Sequence, residues 1–206
     1  MTLAKLMLAS ASPRRADLLR SVGFEFETYP VDLVEQPGSG ESALDYGRRI
    51  ALEKAQAAFA AAAQDDSWVV LGADTEVVLG QRIYGKPADV AQATEMLRSL
   101  SGRRHRVISA VAFVSSERTL VIASQTQVQF RQLSDDEIDA YVITKEPFGK
   151  AGAYALQGKG ALLVSRISGS YTGVVGLPLY ETSQALASFN ISPVWLANDV
   201  ASPVER

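Results

Sequence analysis

The chain has 206 residues, a net charge of −3, no cysteine and one histidine, His105. A thiol nucleophile, a disulfide framework, a cysteine-held zinc or iron–sulfur site and a multi-histidine metal cluster are therefore excluded. With 47% hydrophobic and 21% charged residues, it reads as a soluble globular protein whose chemistry must come from carboxylates, Lys and Arg, hydroxyls or a hard cation held by oxygen.

The apolar run Leu6-Met7-Leu8-Ala9 reads as a strand. It is too short for a signal peptide or a membrane span, so a cytoplasmic setting is expected. Ser10-Ala11-Ser12-Pro13 leaves the strand, with Ser12 placed as an N-cap and Pro13 as the first residue of a helix that Gly23 stops. Arg14 and Arg15 stand at that helix N-terminus, a poor place for two cations unless an anionic ligand joins them or solvent screens them. Phe24 to Tyr29 alternates as a second strand, and a polar loop carrying Glu35 precedes a helix from Ser42 to Ala63. Tyr46, Ile50 and Lys54 share one stripe of that helix, so Lys54 either snorkels to the surface or points into a cleft.

Trp68 to Ala73 is an apolar run of buried-strand character. Asp74 follows it directly, where a strand end would open onto a crevice; it either serves a ligand there or starts a turn. Thr75 could donate to a ligand or begin the next strand, and Glu76 to Tyr84 reads as a hairpin turning at Gly80-Gln81. Gly80 to Lys86 fits the first seven positions of a P-loop, but Pro87 stands where a Ser or Thr hydroxyl should bind Mg²⁺. A P-loop is rejected, which leaves Lys86 as a lone charge on a hairpin.

A helix from Ala88 to Leu100 is followed by the basic run Arg103-Arg104-His105-Arg106, either an RNA contact or a solvated turn before a strand. The mild acidity of the chain weighs against nucleic acid as a partner. Arg106 to Val114 and Leu120 to Phe130 are expected to pair antiparallel, and Ser134 with Glu137 forms a capping box that opens a helix to Thr144. A Gly-rich stretch, Gly149 to Gly160, leads into a strand from Ala161 to Ile167, and a last helix lies near Leu179 to Phe189. No proline- or serine-rich linker divides the chain, so a single mixed α/β unit is expected.

Taken together, these segments resemble the Maf family of nucleoside triphosphate pyrophosphatases. The resemblance is carried by Leu8-Ala9-Ser10-Ala11-Ser12-Pro13-Arg14-Arg15, Ala51-Leu52-Glu53-Lys54-Ala55, Leu71-Gly72-Ala73-Asp74-Thr75, Gly85-Lys86-Pro87 and Lys150-Ala151-Gly152-Ala153-Tyr154-Ala155-Leu156-Gln157-Gly158. It spans Leu6 to Leu186, which makes residues 1–192 a single domain and 193–206 a variable tail. The resemblance implies an α/β fold of the Maf/ITPase-like kind, a mixed twisted sheet flanked by helices, with two lobes and a central cleft. It also implies a homodimer and a divalent cation, Mg²⁺ or Mn²⁺.

Within the family, the subgroup resembled acts on dTTP and UTP. The subgroup acting on 7-methyl-GTP has Trp, Gln and Glu where this chain has Arg14, Thr75 and Gln157. By the same resemblance, Asp74 is the base that activates water for attack at the α-phosphorus, releasing pyrophosphate. Glu35 and Asp74 hold the metal, Arg15, Lys54 and Lys86 neutralise the triphosphate, and Ser10 and Ser12 donate to it. Gln157 offers both an acceptor and a donor to the N3–H and O4 edge of thymine or uracil. A competing reading is a nucleotide- or RNA-binding regulator without chemistry, which an absence of triphosphate turnover would favour.

Overall fold

The computed structural model describes residues 4–62 and 66–197; the remainder of the stretch read as a tail lies outside them. A seven-stranded mixed sheet runs in the order β2 (Glu27–Thr28), β1 (Lys5–Ala9), β3 (Trp68–Leu79), β5 (Arg104–Val114), β6 (Thr119–Phe130) and β7 (Val164–Ser168). The short β4 (Arg82–Tyr84) pairs with the far end of β3. The β1–β2 and β1–β3 pairs are parallel, and the rest of the sheet is antiparallel.

Local sequence explains where three of the helices begin. α1 (Pro13–Ser21) begins on Pro at its first position, with Ser12 at the N-cap making no side-chain capping bond. α3 (Val90–Leu100) is capped by Asp89, which accepts from the Gln92 amide at 2.8 Å. α4 (Asp135–Ile143) carries the full capping box between Ser134 and Glu137. The long α2 (Ala43–Ala62) covers one face of the sheet, while α5 (Tyr171–Val175) and α6 (Leu179–Ala187) contribute Val175, Ala185 and Leu186 to the core on the other.

Three apolar clusters divide the molecule into two lobes. In the first lobe, α1 and α6 pack with Leu6, Leu8, Leu71, Val111 and Phe113 on one face of the sheet. The small residues Ala51, Ala55 and Ala58 of α2 pack with Val70, Ala110 and Ala112 on the other. The second lobe gathers α3, α4, Val77, Val107, Val128 and Phe130. The strands β3, β5 and β6 contribute to both lobes, so the sheet itself is the bridge between them.

Three expectations are corrected. The second strand is confined to Glu27–Thr28 rather than Phe24 to Tyr29. The chain before β7 forms a 3₁₀ turn over Lys159–Leu163, so the strand begins at Val164 rather than Ala161. The third correction is the one that matters for function: β3 does not end at Ala73 but continues through Asp74 to Leu79. What ends there is its neighbour. β1 pairs with β3 only up to Ala9 opposite Gly72, and β4 joins only at Val77. Ala73 to Glu76 therefore border a gap in the sheet, beyond the carboxyl end of a parallel strand, where α/β proteins form their ligand crevices.

A short C-terminal helix, α7 (Val194–Ala197), lies against the end of α1. The Val194 amide donates to the Gly23 carbonyl at 2.9 Å, and Trp195 Nε1 donates to the Val22 carbonyl at 2.9 Å. Gly23, at φ +80°, leaves room for the indole, since a Cβ there would lie 2.9 Å from its ring.

Candidate active site

The gap in the sheet opens into a cleft of about 610 Å³ between the lobes. Every residue to which the family resemblance gives a role lines it: Ser10, Ser12, Arg14, Arg15, Glu35, Lys54, Asp74, Thr75, Lys86 and Gln157. They come from the β1–α1 turn, the first turn of α1, the loop before α2, α2 itself, β3, the β4–α3 loop and the segment before β7.

Lys54 is fully committed to the cleft and does not snorkel. It is 7% exposed, and its Nζ lies 2.8 Å from Asp74 Oδ1 and 2.7 Å from Glu35 Oε1. Close approach of α2 to β3 makes this possible. A Cβ on Gly72 would fall 2.2 Å from the Ala51 carbonyl oxygen and 2.6 Å from the Ala55 amide. Only glycine at that position lets the helix lie so near that Lys54, one turn along from Ile50, reaches the strand.

Asp74 is 5% exposed and Glu76 is 7% exposed. Two positions apart on one strand, they point to the same face. Burial pushes the Glu76 carboxyl up to about 9, helped by its hydrogen bond to Asp74 and the like charge there. Burial also acts upward on Asp74, but the Glu76 hydrogen bond, the Lys54 ammonium and Arg15 outweigh it and hold Asp74 below its ordinary value. A hydrogen bond between two carboxyls needs one proton, and the environment assigns it to Glu76. Asp74 is thus an ionised carboxylate with a neutral neighbour, the state a general base requires. Sequence reading missed Glu76; its spacing from Asp74 was the available signal, hidden by ending the strand too early.

Arg15 is 9% exposed and lines the cleft from the first turn of α1. Its Nε donates to the Gly176 carbonyl at 2.9 Å, one terminal nitrogen donates to Ser10 Oγ at 3.0 Å, and the other donates to Thr75 Oγ1 at 3.3 Å. Ser109 Oγ donates to the Gly173 carbonyl at 2.6 Å and lies 3.0 Å from Thr75 Oγ1. Thr75 therefore acts as part of the frame that aims Arg15. Ser10 Oγ accepts from Arg15 and from the Ser12 amide at 3.2 Å, which leaves its own proton to donate into the cleft. Lys86 is exposed in the loop after β4 and precedes a helix that starts only at Val90, consistent with the rejected P-loop.

The charge inventory suits a polyanion. Arg14, Arg15, Lys54, Lys86 and Lys150 line the cleft against the anions Asp32, Glu35 and Asp74. The carboxylates also suit a hard divalent cation. Among the described residues no N–H or alcohol hydroxyl donates to the buried Asp74 Oδ2, and the Glu35 side chain, 35% exposed, lines the same cleft. Among the described residues no group of three or more His, Asp or Glu could hold an ion unaided. Oxygens of a bound phosphate would complete the shell, as is usual for Mg²⁺.

His105 and the basic run lie elsewhere. His105 is buried, with Nε2 2.9 Å from the Tyr154 hydroxyl and its ring edge-on to Phe130, and burial lowers it to about 4. It is a neutral core residue. Arg104 lines a separate hollow of about 150 Å³ with Gln127, Gln129, Arg166 and Ser168, which holds no carboxylate. Among the described residues no helix is long and apolar enough to cross a membrane.

The chain is similar to known proteins over most of its length. Residues 5–189 match the family model for Maf-like protein. The dTTP/UTP pyrophosphatase of Xanthomonas euvesicatoria pv. vesicatoria is 49% identical over 189 residues, covering 89% of this chain and 98% of that protein. The dTTP/UTP pyrophosphatase of Salmonella typhimurium is 50% identical over 185 residues, covering 90% of this chain and 93% of that protein. A solved nucleoside-triphosphatase / dITP/XTP pyrophosphatase from Mycobacterium abscessus is similar at 16% identity and a TM-score of 0.45, covering 89% of this chain and 97% of that one. That last likeness is too loose to bear on the assignment. With the family model spanning both lobes and relatives at half identity over most of their length, the chain belongs to the Maf-like protein family.

Proposed function

We propose that this protein hydrolyses dTTP and UTP to the monophosphate and pyrophosphate. The observation that carries the reading is Asp74: a buried carboxylate kept ionised beside Lys54, in a cleft large and cationic enough for one nucleoside triphosphate. The names of the half-identical relatives supply the substrate class.

Phosphoryl transfer is catalysed mainly by positioning and by stabilising charge. The triphosphate, with about four negative charges, lies against the N-terminus of α1, whose first-turn amides are free to donate. Ser10 and Ser12 add hydroxyl donors. Arg15, held by Gly176 and Thr75, keeps further N–H groups for the phosphate oxygens. Asp74 takes the proton of the water that attacks the α-phosphorus, and Lys86 neutralises the charge that grows on the departing pyrophosphate. Glu35 and Asp74 are the residues that would hold Mg²⁺ or Mn²⁺, which when bound offsets phosphate charge and favours deprotonation of water. Arg14, Thr75 and Gln157 set base preference, Thr75 through Arg15 and Gln157 by its paired donor and acceptor. The family likeness extends the proposal to a homodimer acting in the cytoplasm.

The test is release of pyrophosphate from dTTP, UTP, CTP, GTP and 7-methyl-GTP, with Mg²⁺ or Mn²⁺. dTTP and UTP are expected to turn over best, and preference for 7-methyl-GTP would refute the subgroup. Asp74→Asn should lose at least about a hundredfold in kcat, the scale of general-base assistance, with an unchanged circular dichroism spectrum. Full activity in that variant would remove Asp74 as the base.

A further inference from the structure

Gln157 lies on the rim of the cleft in an exposed segment with no helix or strand of its own. A side chain in such a place can discriminate between bases only if something fixes its backbone. The segment Leu156-Gln157-Gly158 is an arch, and both of its feet rest on one pair of side chains outside the catalytic machinery. On the near side, the Ala155 amide donates to the Tyr141 hydroxyl at 3.1 Å. That hydroxyl in turn donates to Glu146 Oε1 at 2.9 Å. On the far side, the Gly160 amide donates to Glu146 Oε1 at 2.9 Å and the Lys159 amide donates to Oε2 at 3.0 Å.

The backbone is shaped to this carboxylate. Gly158 stands at φ +128°, and a Cβ there would lie 2.7 Å from Glu146 Oε2. A Cβ on Gly160 would lie 2.6 Å from the Tyr141 hydroxyl oxygen. Both glycines are needed for the chain to wrap so tightly around two polar groups. Burial acts to raise the Glu146 carboxyl, but the two backbone amides and Tyr141 outweigh it, so the carboxylate stays ionised and accepts from all three. Lys150 of the cleft wall donates to the Glu146 main-chain carbonyl, and the Gly152 amide donates to the Gly85 carbonyl at 3.1 Å, beside Lys86. The arch is therefore joined to the part of the cleft that faces the phosphates.

We propose that Glu146 is a positioning residue for base recognition, acting through Tyr141 and the amides of Lys159 and Gly160 to hold Gln157 at the height where it meets the nucleobase. This rests on the reading of Gln157 as the residue that reads the base. A carboxylate is required because all three of its partners are donors; an amide would turn one N–H toward another N–H.

The experiment compares dTTP with dGTP, which share sugar and phosphates and differ only in the base. In Glu146→Gln, kcat/KM for dTTP relative to dGTP should fall about tenfold, the scale of one imperfect hydrogen-bonding contact. The loss should appear in KM for dTTP, with kcat within about twofold. Gln157→Ala should lower the same ratio, and the double variant should lower it no further than Gln157→Ala alone, because both act through one contact. If Glu146→Gln slows both substrates equally and leaves the ratio intact while Gln157→Ala lowers it, Glu146 has a structural role only and the inference is overturned. If Gln157→Ala leaves the ratio unchanged, the reading of Gln157 falls, and the inference with it. Should Glu146→Gln fail to fold, Tyr141→Phe keeps the carboxylate and its two backbone amides and removes only the hydroxyl that ties the Ala155 side of the arch to it. The same fall in the ratio is then expected, and an unchanged ratio is the overturning result.

Discussion

The pairing of Asp74 with Glu76 is the feature of the cleft with the sharpest consequences for single residues. Glu76 carries its proton at neutral pH, so glutamine is a near-isosteric neutral replacement. Glu76→Gln is expected to keep turnover at pH 7 within a few-fold of the parent, as read by pyrophosphate release. The pH dependence of stability should separate the two proteins. Between the ordinary carboxylate value of 4.5 and about 9, the unfolded chain has released this proton while the folded protein still holds it. Stability then falls as pH rises across that window, because the folded state binds more protons than the unfolded one. Thermal melts of the parent should lose several degrees between pH 5 and 9 that Glu76→Gln retains; parallel curves would show that Glu76 is ionised throughout. The residues of this site were legible in sequence to the extent that their neighbours in the chain form compact motifs, as around Asp74, Lys54 and Arg15. Glu76 and Glu146 were not, for different reasons. Glu76 was concealed by a misplaced strand end, and Glu146 acts through partners up to 14 positions away, which no local pattern displays.

At the level of elements, the site depends on how closely a helix approaches a strand. The stripe Gly47, Ala51, Ala55 and Ala58 gives α2 a face of small side chains, and Gly72 removes the last obstacle on β3. Gly72→Ala would place a methyl group against main-chain atoms of α2, which cannot give way as a flexible side chain could. Overpacking of this kind costs on the order of 3 kcal/mol. For a protein of this size that corresponds to a fall in Tm of about 10 °C, measurable by differential scanning fluorimetry. Lys54 would withdraw from Asp74 at the same time, so kcat should drop even at temperatures where the variant is folded. A variant with the parent's Tm and kcat would show that α2 has slack the geometry does not suggest. Helices were the most legible elements, since caps such as Ser134 with Glu137 and stops such as Gly23 act within a few residues. Strand limits were not, because β3 owes its length to its partner β5, which pairs with it from Val70 to Val78, and a run containing Asp74 and Glu76 has no apolar pattern of its own to declare it.

Over the whole molecule, the two lobes have separate apolar cores and are joined through the sheet. β3, β5 and β6 pass through both, and their antiparallel register is unbroken from Val70 opposite Val114 to Val78 opposite Arg106, and from Arg104 opposite Gln129 to Val114 opposite Thr119. Melting one lobe would expose the hydrogen-bonding edges of strands still folded in the other, a cost that couples the cores. Both tryptophans lie with the first lobe: Trp68 packs beneath α2, and Trp195 lies against the end of α1. They therefore report on a lobe that contains none of the Phe130 cluster. Phe130→Ala, at a position 1% exposed in the second lobe, should cost about 3–5 kcal/mol. If the lobes unfold as one unit, that distant lesion lowers the tryptophan fluorescence midpoint in urea as far as it lowers the far-ultraviolet circular dichroism midpoint. If the lobes were independent, the fluorescence midpoint would stay with the parent while the dichroism curve split in two. Coupled unfolding is the expected result, and it has a functional side: a cleft whose floor is a continuous strand keeps Asp74 in fixed relation to both walls, to Arg15 and Lys54 in one lobe and to the Gln157 arch in the other.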